Sequence, residues 1–348
     1  MWEEHCTFSF DNEYLVDLRN IVISMKIKNI YLVLFTAFFS SQWVYSDYSG
    51  RQDVGEFIEH MHEKHSYEKS YLEMLFKNAE YQEKVVRIMN RQPEGTMTWE
   101  RYKGIMVNNS RISAGKEFIG LYKEQLIKAE QIYGVPAEII ASIIGIETRY
   151  GRIKGNTRVI DSLSTLAFDY PRREKFFKIQ LEEFLLLSRE ENFNPQEIEG
   201  SIAGAMGYGQ FMPDSYRDYA VDFDNDGVRD ILNNPKDAIG SVANFLNKKG
   251  KWKPNTPIAI KAKVNNRNEP LKSSFKPYMT DNELDKLGLV ASEVIPGNLK
   301  FVPFSLELEE GYEYWLGFDN YQSISRYNRS KLYVMAVFEF SNALSEFL

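Results

Sequence analysis

Cysteine is nearly absent from these 348 residues: Cys6 stands alone, so no disulfide can form within the chain. Histidine is scarce too, and four scattered residues argue against a zinc centre built on imidazoles. There is no basic excess. A net charge of −7 excludes nucleic acid as the main partner, because phosphate binding needs a positive surface. No internal repeat or low-complexity tract is visible. The apolar run from Ile30 to Phe39, about ten residues, is too short to span a bilayer. No glycine-rich loop is followed by the Gly-Lys-Ser/Thr of a nucleotide-binding P-loop, and nothing else calls for an organic cofactor.

Aromatic residues are abundant, at 14%, more than a core alone demands. Such a supply suits a sugar-binding cleft, where flat rings stack on pyranose faces. Hydrophobic residues at 43% provide for a packed core.

The N-terminal stretch "MKIKNIYLVLFTAFFSSQWVYSDYSG" has the parts of an export signal. Lys26 and Lys28 form a basic start, Ile30 to Phe39 the apolar centre, and Val44-Tyr45-Ser46 a cleavage site before Asp47. Residues 25–46 are therefore expected to be a signal peptide, and the acidic residues 1–24 an upstream extension. No cysteine ends the apolar segment, so a lipid anchor is not expected; the mature protein should be exported, soluble and periplasmic.

Residues 47–133 read as helices, with apolar residues three and four apart in "VGEFIEHMHEKH" and "EKSYLEMLFKNAEYQEKVVRIMNR". Residues 134–254 alternate helices with loops rich in Gly, Asp and Asn, ending in "PKDAIGSVANFLNKKG". Over 255–325 the period changes to two in "PIAIKAKV" and "KFVPFSLELEEGYEYWLGF", which predicts a small β-containing domain. Residues 326–348 close the chain as a helix. The fold class expected is mainly α, with a small β part.

Three stretches carry chemistry. In "SIIGIETRYG", Ile140, Ile143 and Ile144 lie within about 60° of Glu147 around a helix axis, which turns the carboxyl toward apolar surroundings. Desolvation and the negative end of the helix dipole both favour its protonated form, as a general acid requires. The bland alternative is a boundary glutamate paired with Arg149 or Arg152. In "GSIAGAMGYGQFMPDSY", residues 200–216, clustered glycines permit close backbone approach, and Gln210 offers a donor and an acceptor to a sugar; a tight packing loop is the alternative. In "DFDNDGVRDILNNPKD", Asp222, Asp224, Asp226 and Gly227 match positions 1, 3, 5 and 6 of an EF-hand loop, with Val228 supplying the position-7 carbonyl. Asn233 replaces the final glutamate, so Asp237, or less favourably Asp230, is expected to complete the site. The single copy points to a structural calcium rather than a sensor.

In this order, these elements resemble lytic transglycosylases of the membrane-bound lytic transglycosylase B type, glycoside hydrolase family 103. The matching strings are "YGVPAEIIASIIGIETRYGRIKGNTRVIDSLSTLAFDYPRR", "GSIAGAMGYGQFMPDSY", "DAIGSVANFL" and "RYNRSKLYVMAV". The resemblance spans about 95 to 348 and is weakest over 255–325. It implies a lysozyme-like core with a helical and a small β domain, and the glycan strands of peptidoglycan as substrate. It implies Glu147 as sole acid/base, a cleft lined by Tyr102, Ser201, Gln210, Tyr327, Asn328 and Tyr333, and calcium at Asp222, Asp224, Asp226, Val228 and Asp237. One carboxylate suffices if the muramoyl 2-acetamido group stabilises C1 and the C6 hydroxyl closes a 1,6-anhydro ring. A hydrolytic lysozyme-like enzyme and a non-catalytic wall-binding scaffold are the alternatives.

Overall fold

Asn108 starts the long helix that frames the site: its side chain accepts from the Arg111 amide at 3.1 Å, and Gly134, at φ 70°, ends the helix. In the computed structural model, residues 48–90, 97–264, 268–272 and 274–348 are described. The expected signal peptide and upstream extension lie outside them.

Five helices come first: α1 (Gln52–His65), α2 (Lys69–Lys77), α3 (Glu83–Asn90), α4 (Trp99–Met106) and α5 (Asn109–Tyr133). They are followed by α6 (Ala137–Thr148), β1 (Thr157–Arg158), α7 (Val159–Phe168), α8 (Glu174–Glu190), β2 (Glu199–Gly200), α9 (Pro213–Tyr219) and α10 (Pro235–Lys248). The remainder comprises β3 (Ala259–Val264), β4 (Leu289–Ala291), β5 (Val302–Glu307), β6 (Tyr312–Gly317), α11 (Asp319–Ser325) and α12 (Lys331–Leu344). No single helix among the described residues is long and apolar enough to cross a membrane.

The mainly α class expected from periodicity is what the chain adopts. Residues 47–348 form one compact unit. Helix α6 packs against α5, α10 and α12, which joins three of the expected segments through one core. The period-two region is a four-stranded antiparallel sheet in the order β4-β3-β6-β5. One face carries its own small core, including Ile260, Leu289, Phe301, Tyr314 and Leu316. The other face meets helices: Phe304 stacks on Tyr321 of α11 at 4.5 Å, and Trp315 meets Phe338 of α12 edge-on at 6.1 Å. That double burial explains why β5 is buried on both faces from Val302 to Leu306. Residues 319–325, the last of the expected β-containing segment, are the helix that covers the sheet.

The histidines are less scattered than their number implied. Helix α1 holds three of the four. His60 and His65 both reach Glu182 of α8, at 3.0 and 2.7 Å, and Lys64 joins them at 2.9 Å. Burial opposes ionisation of Glu182, but these three bonds outweigh it and bring the carboxyl down to about 2.

Candidate active site

Helix α6 is not amphipathic in place. Ile139 to Thr148 are buried on every side, so Glu147 has no polar face to turn to. Its residue is 7% exposed. The Tyr333 hydroxyl donates to Oε1 at 2.6 Å. Oε2 is buried and has no hydrogen-bond partner among the described residues. Burial pushes the carboxyl well above its ordinary value, while the Tyr333 bond opposes this and loses. The ordering is physical: one hydroxyl replaces only part of the hydration that an anion would give up.

The alternative of a surface glutamate paired with Arg149 or Arg152 does not describe this arrangement. Arg152 pairs instead with Glu117 at 3.2 Å. Arg149 ends α6 at φ 49°, followed by Tyr150 at φ 60° and Gly151 at φ 83°. Two consecutive non-glycine residues in the left-handed region cost about 1–2 kcal/mol each. The turn directs the Tyr150 ring back over Gly145, where an added Cβ would lie 2.5 Å from its hydroxyl oxygen. Phe118 stacks on the same ring at 4.8 Å. Packing thus holds the strained turn in place directly after the acid.

Tyr333 is set by the start of α12, where the Ser330 hydroxyl accepts from its amide. Its ring lies nearly parallel to Tyr327, 10° apart with centroids at 6.4 Å. Burial, then the charge of Glu147, pushes the Tyr327 hydroxyl far up, and no second carboxylate acts on it. The same two causes raise Tyr333, so both phenols stay protonated, and both protons are engaged: Tyr327 donates to the Gly209 carbonyl and Tyr333 to Glu147. Tyr102, on α4, is 3% exposed and close enough to act electrostatically on Tyr333. Asn328, beside Tyr327, makes no side-chain hydrogen bond to a described residue.

The glycine-rich loop is built more for rigidity than the residue types suggested. The Ser201 hydroxyl accepts from the Ala203 and Ala205 amides at 3.3 and 3.1 Å, closing its own turn while leaving its proton to give. Gln210 departs from expectation. Its side-chain nitrogen donates to the Lys154 and Gly207 carbonyls, both at 3.0 Å, so both donors are used and only its oxygen remains for a sugar. Gly155 has no alternative, because at φ 92° an added Cβ would lie 2.0 Å from the Gly200 carbonyl oxygen.

Sequence reasoning missed two residues that fix α6. Arg111 is 8% exposed and donates to the Gly145 carbonyl at 2.8 Å and the Ile105 carbonyl at 3.2 Å. Burial, then the Arg149 charge, lowers it to about 10. Thr148 donates to the Tyr208 carbonyl at 3.0 Å, pinning the end of α6 to the glycine-rich loop. Arg111 carries a readable signal: with Gly115, Phe118 and Ile119 it shares a buried helical stripe, as Glu147 does with its isoleucines.

In the acidic loop, Asp222, Asp224 and Asp226 each offer an oxygen within 4.8 Å of the others. Asp222 accepts from the Asp226 and Gly227 amides at 3.0 and 2.8 Å, which curls the loop round the cluster. Asp224 Oδ1 is buried with no hydrogen-bond partner among the described residues, and Oδ2 lies 3.2 Å from both Asn234 and Lys236. A buried carboxylate oxygen facing two further carboxylates fits a hard cation with oxygen ligands. Asp237, the expected closing ligand, lies deeper than the three. It is fully buried and accepts from the Phe223 and Asp230 amides at 2.8 and 2.9 Å, tying the loop from inside. Asp230 is likewise occupied, accepting from the Leu232 and Asn233 amides.

A family of known sequences shares this fold and arrangement: the transglycosylase SLT domain matches residues 49–342, and the chain belongs to that family. Over 308 residues it is 38% identical to membrane-bound lytic murein transglycosylase B of Escherichia coli strain K12, covering 86% of this chain and 84% of that protein. Among solved structures, the catenated lytic transglycosylase SltB1 of Pseudomonas aeruginosa superposes with a TM-score of 0.81 at 40% identity, covering 86% of this chain and 99% of that one. The Escherichia coli lytic transglycosylase Slt35 in complex with calcium gives 0.80 at 39% identity, covering 86% and 95%.

Proposed function

We propose that the chain is a lytic murein transglycosylase, and that Glu147 alone performs both proton transfers. The supporting observation is the asymmetry of its carboxyl: Oε1 is held by Tyr333, and Oε2 is buried without a partner. A carboxyl raised by burial keeps its proton near neutral pH, and Oε2 is the oxygen left to present it. That proton goes to the oxygen linking N-acetylmuramic acid to N-acetylglucosamine as its bond to C1 breaks. The muramoyl 2-acetamido oxygen shields the cationic C1. The carboxylate then removes the C6 hydroxyl proton, O6 bonds to C1, and the acid is restored. Tyr333 steadies the anion between the two transfers. Tyr327, Asn328, Tyr102, Ser201 and the Gln210 oxygen line the strand's path in this reading.

We further infer that calcium is held by Asp222, Asp224, Asp226 and the Val228 carbonyl in a structural role. The fit of Asp224 supports this, as does the calcium complex of Slt35. A cation there neutralises three converging carboxylates and rigidifies the loop that leads into α10. Export follows from the signal-like segment at 25–46, which would deliver the enzyme to the periplasm.

Mass spectrometry of soluble products from purified peptidoglycan tests the chemistry. Muropeptides one water lighter than hydrolytic products support the proposal. Reducing ends would make the protein a muramidase, and no product from folded protein would leave a wall-binding scaffold.

A further inference from the structure

An open pocket of about 560 Å³ lies between the 274–276 segment of the sheet region and the junction of α11 with α12. Four of its lining residues are cationic: Lys249, Lys276, Arg326 and Arg329. Among the described residues no carboxylate lines it, and none of the four makes an ion pair. This is unexpected in a chain of net charge −7, where Arg51, Arg158 and Lys253 each have an acidic partner. Arg326 is held by the Lys249 and Gly250 carbonyls at 2.8 and 3.2 Å. Arg329 lies 5.5 Å from the centre of the Phe275 ring, and Lys249 lies over Phe245 at 5.2 Å. Packing therefore restrains several of these charges beside one another without neutralising them, and like charges so gathered repel until an anion joins them.

The pocket is lined in part by chain neighbours of two residues assigned to the candidate cleft. Arg326 and Arg329 bracket Tyr327 and Asn328, and Phe245, beneath Lys249, is 4.7 Å from the Tyr327 ring. Its volume is in the range of small-ligand pockets. Guanidinium forks match carboxylates, and the Phe275 ring adds an apolar surface. The sugars of murein strands are uncharged where peptide is attached; their carboxylates are on the peptide stems.

We propose that this pocket binds the carboxylates of a peptide stem on the glycan strand, a reading that rests on the murein activity inferred above. The stem would extend from the cleft past Tyr327 and Asn328 into the cationic pocket, making the enzyme prefer peptide-bearing over stripped glycan.

The test is calorimetric titration of the full chain carrying Glu147→Gln, which removes turnover. The titrants are glycan fragments with intact stems and the same fragments stripped by an amidase. Adding Lys276→Gln and Arg329→Gln should raise Kd about tenfold for peptide-bearing fragments and leave the stripped ones unchanged. Lys276→Gln alone, at an exposed position, should give about a threefold rise with folding intact. Equal weakening for both ligands, or no weakening for either, overturns the proposal. Failure of the cleavage chemistry would show elsewhere, as wild-type protein releasing no anhydro product.

Discussion

The end of α6 and the loop at 222–228 both confine carboxylates, and they handle the charge in opposite ways. Glu147 is a single acid within apolar and aromatic walls, and burial drives it toward its neutral form. The loop gathers three aspartates at the surface and supports them as anions, with backbone amides on Asp222 and with Asn234 and Lys236 on Asp224. Asn234, more than Lys236, holds Asp224 below its ordinary value. In the proposed account the same functional group is a proton donor in one place and a cation ligand in the other. What separates them is hydration and donor count, not residue type. Asp237 makes a third case: it is buried like Glu147, but each of its oxygens accepts a backbone amide, which ties the loop to the fold.

Substitutions can break this contrast, and the largest effect belongs to Glu147→Gln. It removes the only acid/base proposed, and release of soluble muropeptides should fall by about 10³-fold or more. Tyr333→Phe should lower turnover by roughly ten- to a hundredfold, because a charge-assisted bond to Oε1 is lost. That bond favours the anion, so its loss should also move the alkaline limb of the pH–rate profile to higher pH. For the loop, Asp224→Asn should weaken calcium binding by about tenfold, measured as the calcium-dependent rise in Tm. Asp237→Asn should cost about 1–3 kcal/mol of stability by calorimetry, because two backbone amides lose a carboxylate acceptor.

The stability effect at Glu147 is the most specific. Glu147 has a folded pKa above its unfolded value near 4.5. Below that unfolded value both states are protonated and burial carries no ionisation cost. As pH rises toward the folded pKa, only the unfolded chain ionises, and stability falls by about 1.4 kcal/mol per pH unit. Glu147→Gln should therefore match wild type in Tm at pH 4 and exceed it at pH 7. A constant difference across that range would contradict the assignment.

Much of this was legible because periodicity and motif carry their own physics. The EF-hand spacing located Asp222, Asp224 and Asp226 directly, and an acid among isoleucines marked Glu147. The reason offered for Glu147 was incomplete, since a helical wheel shows one apolar face whereas tertiary packing buries all faces of α6. Spacing along the loop did not reveal that Asp237 also accepts two backbone amides. Gln210 shows the same limit: its residue type suits a sugar, but its position at φ 50° turns both donors onto carbonyls. The cationic pocket was invisible in sequence, because its charges come from segments as far apart as Lys249 and Arg329.

The protonation of Glu147 can be read directly by infrared difference spectroscopy, taking wild type minus Glu147→Gln at pH 6. A protonated-carboxyl C=O band in the difference spectrum, converting to a carboxylate band only at higher pH, is the predicted result. A carboxylate band already complete at pH 6 would show that the apolar surroundings of α6 do not hold the proton, and Glu147 could not act as the acid proposed.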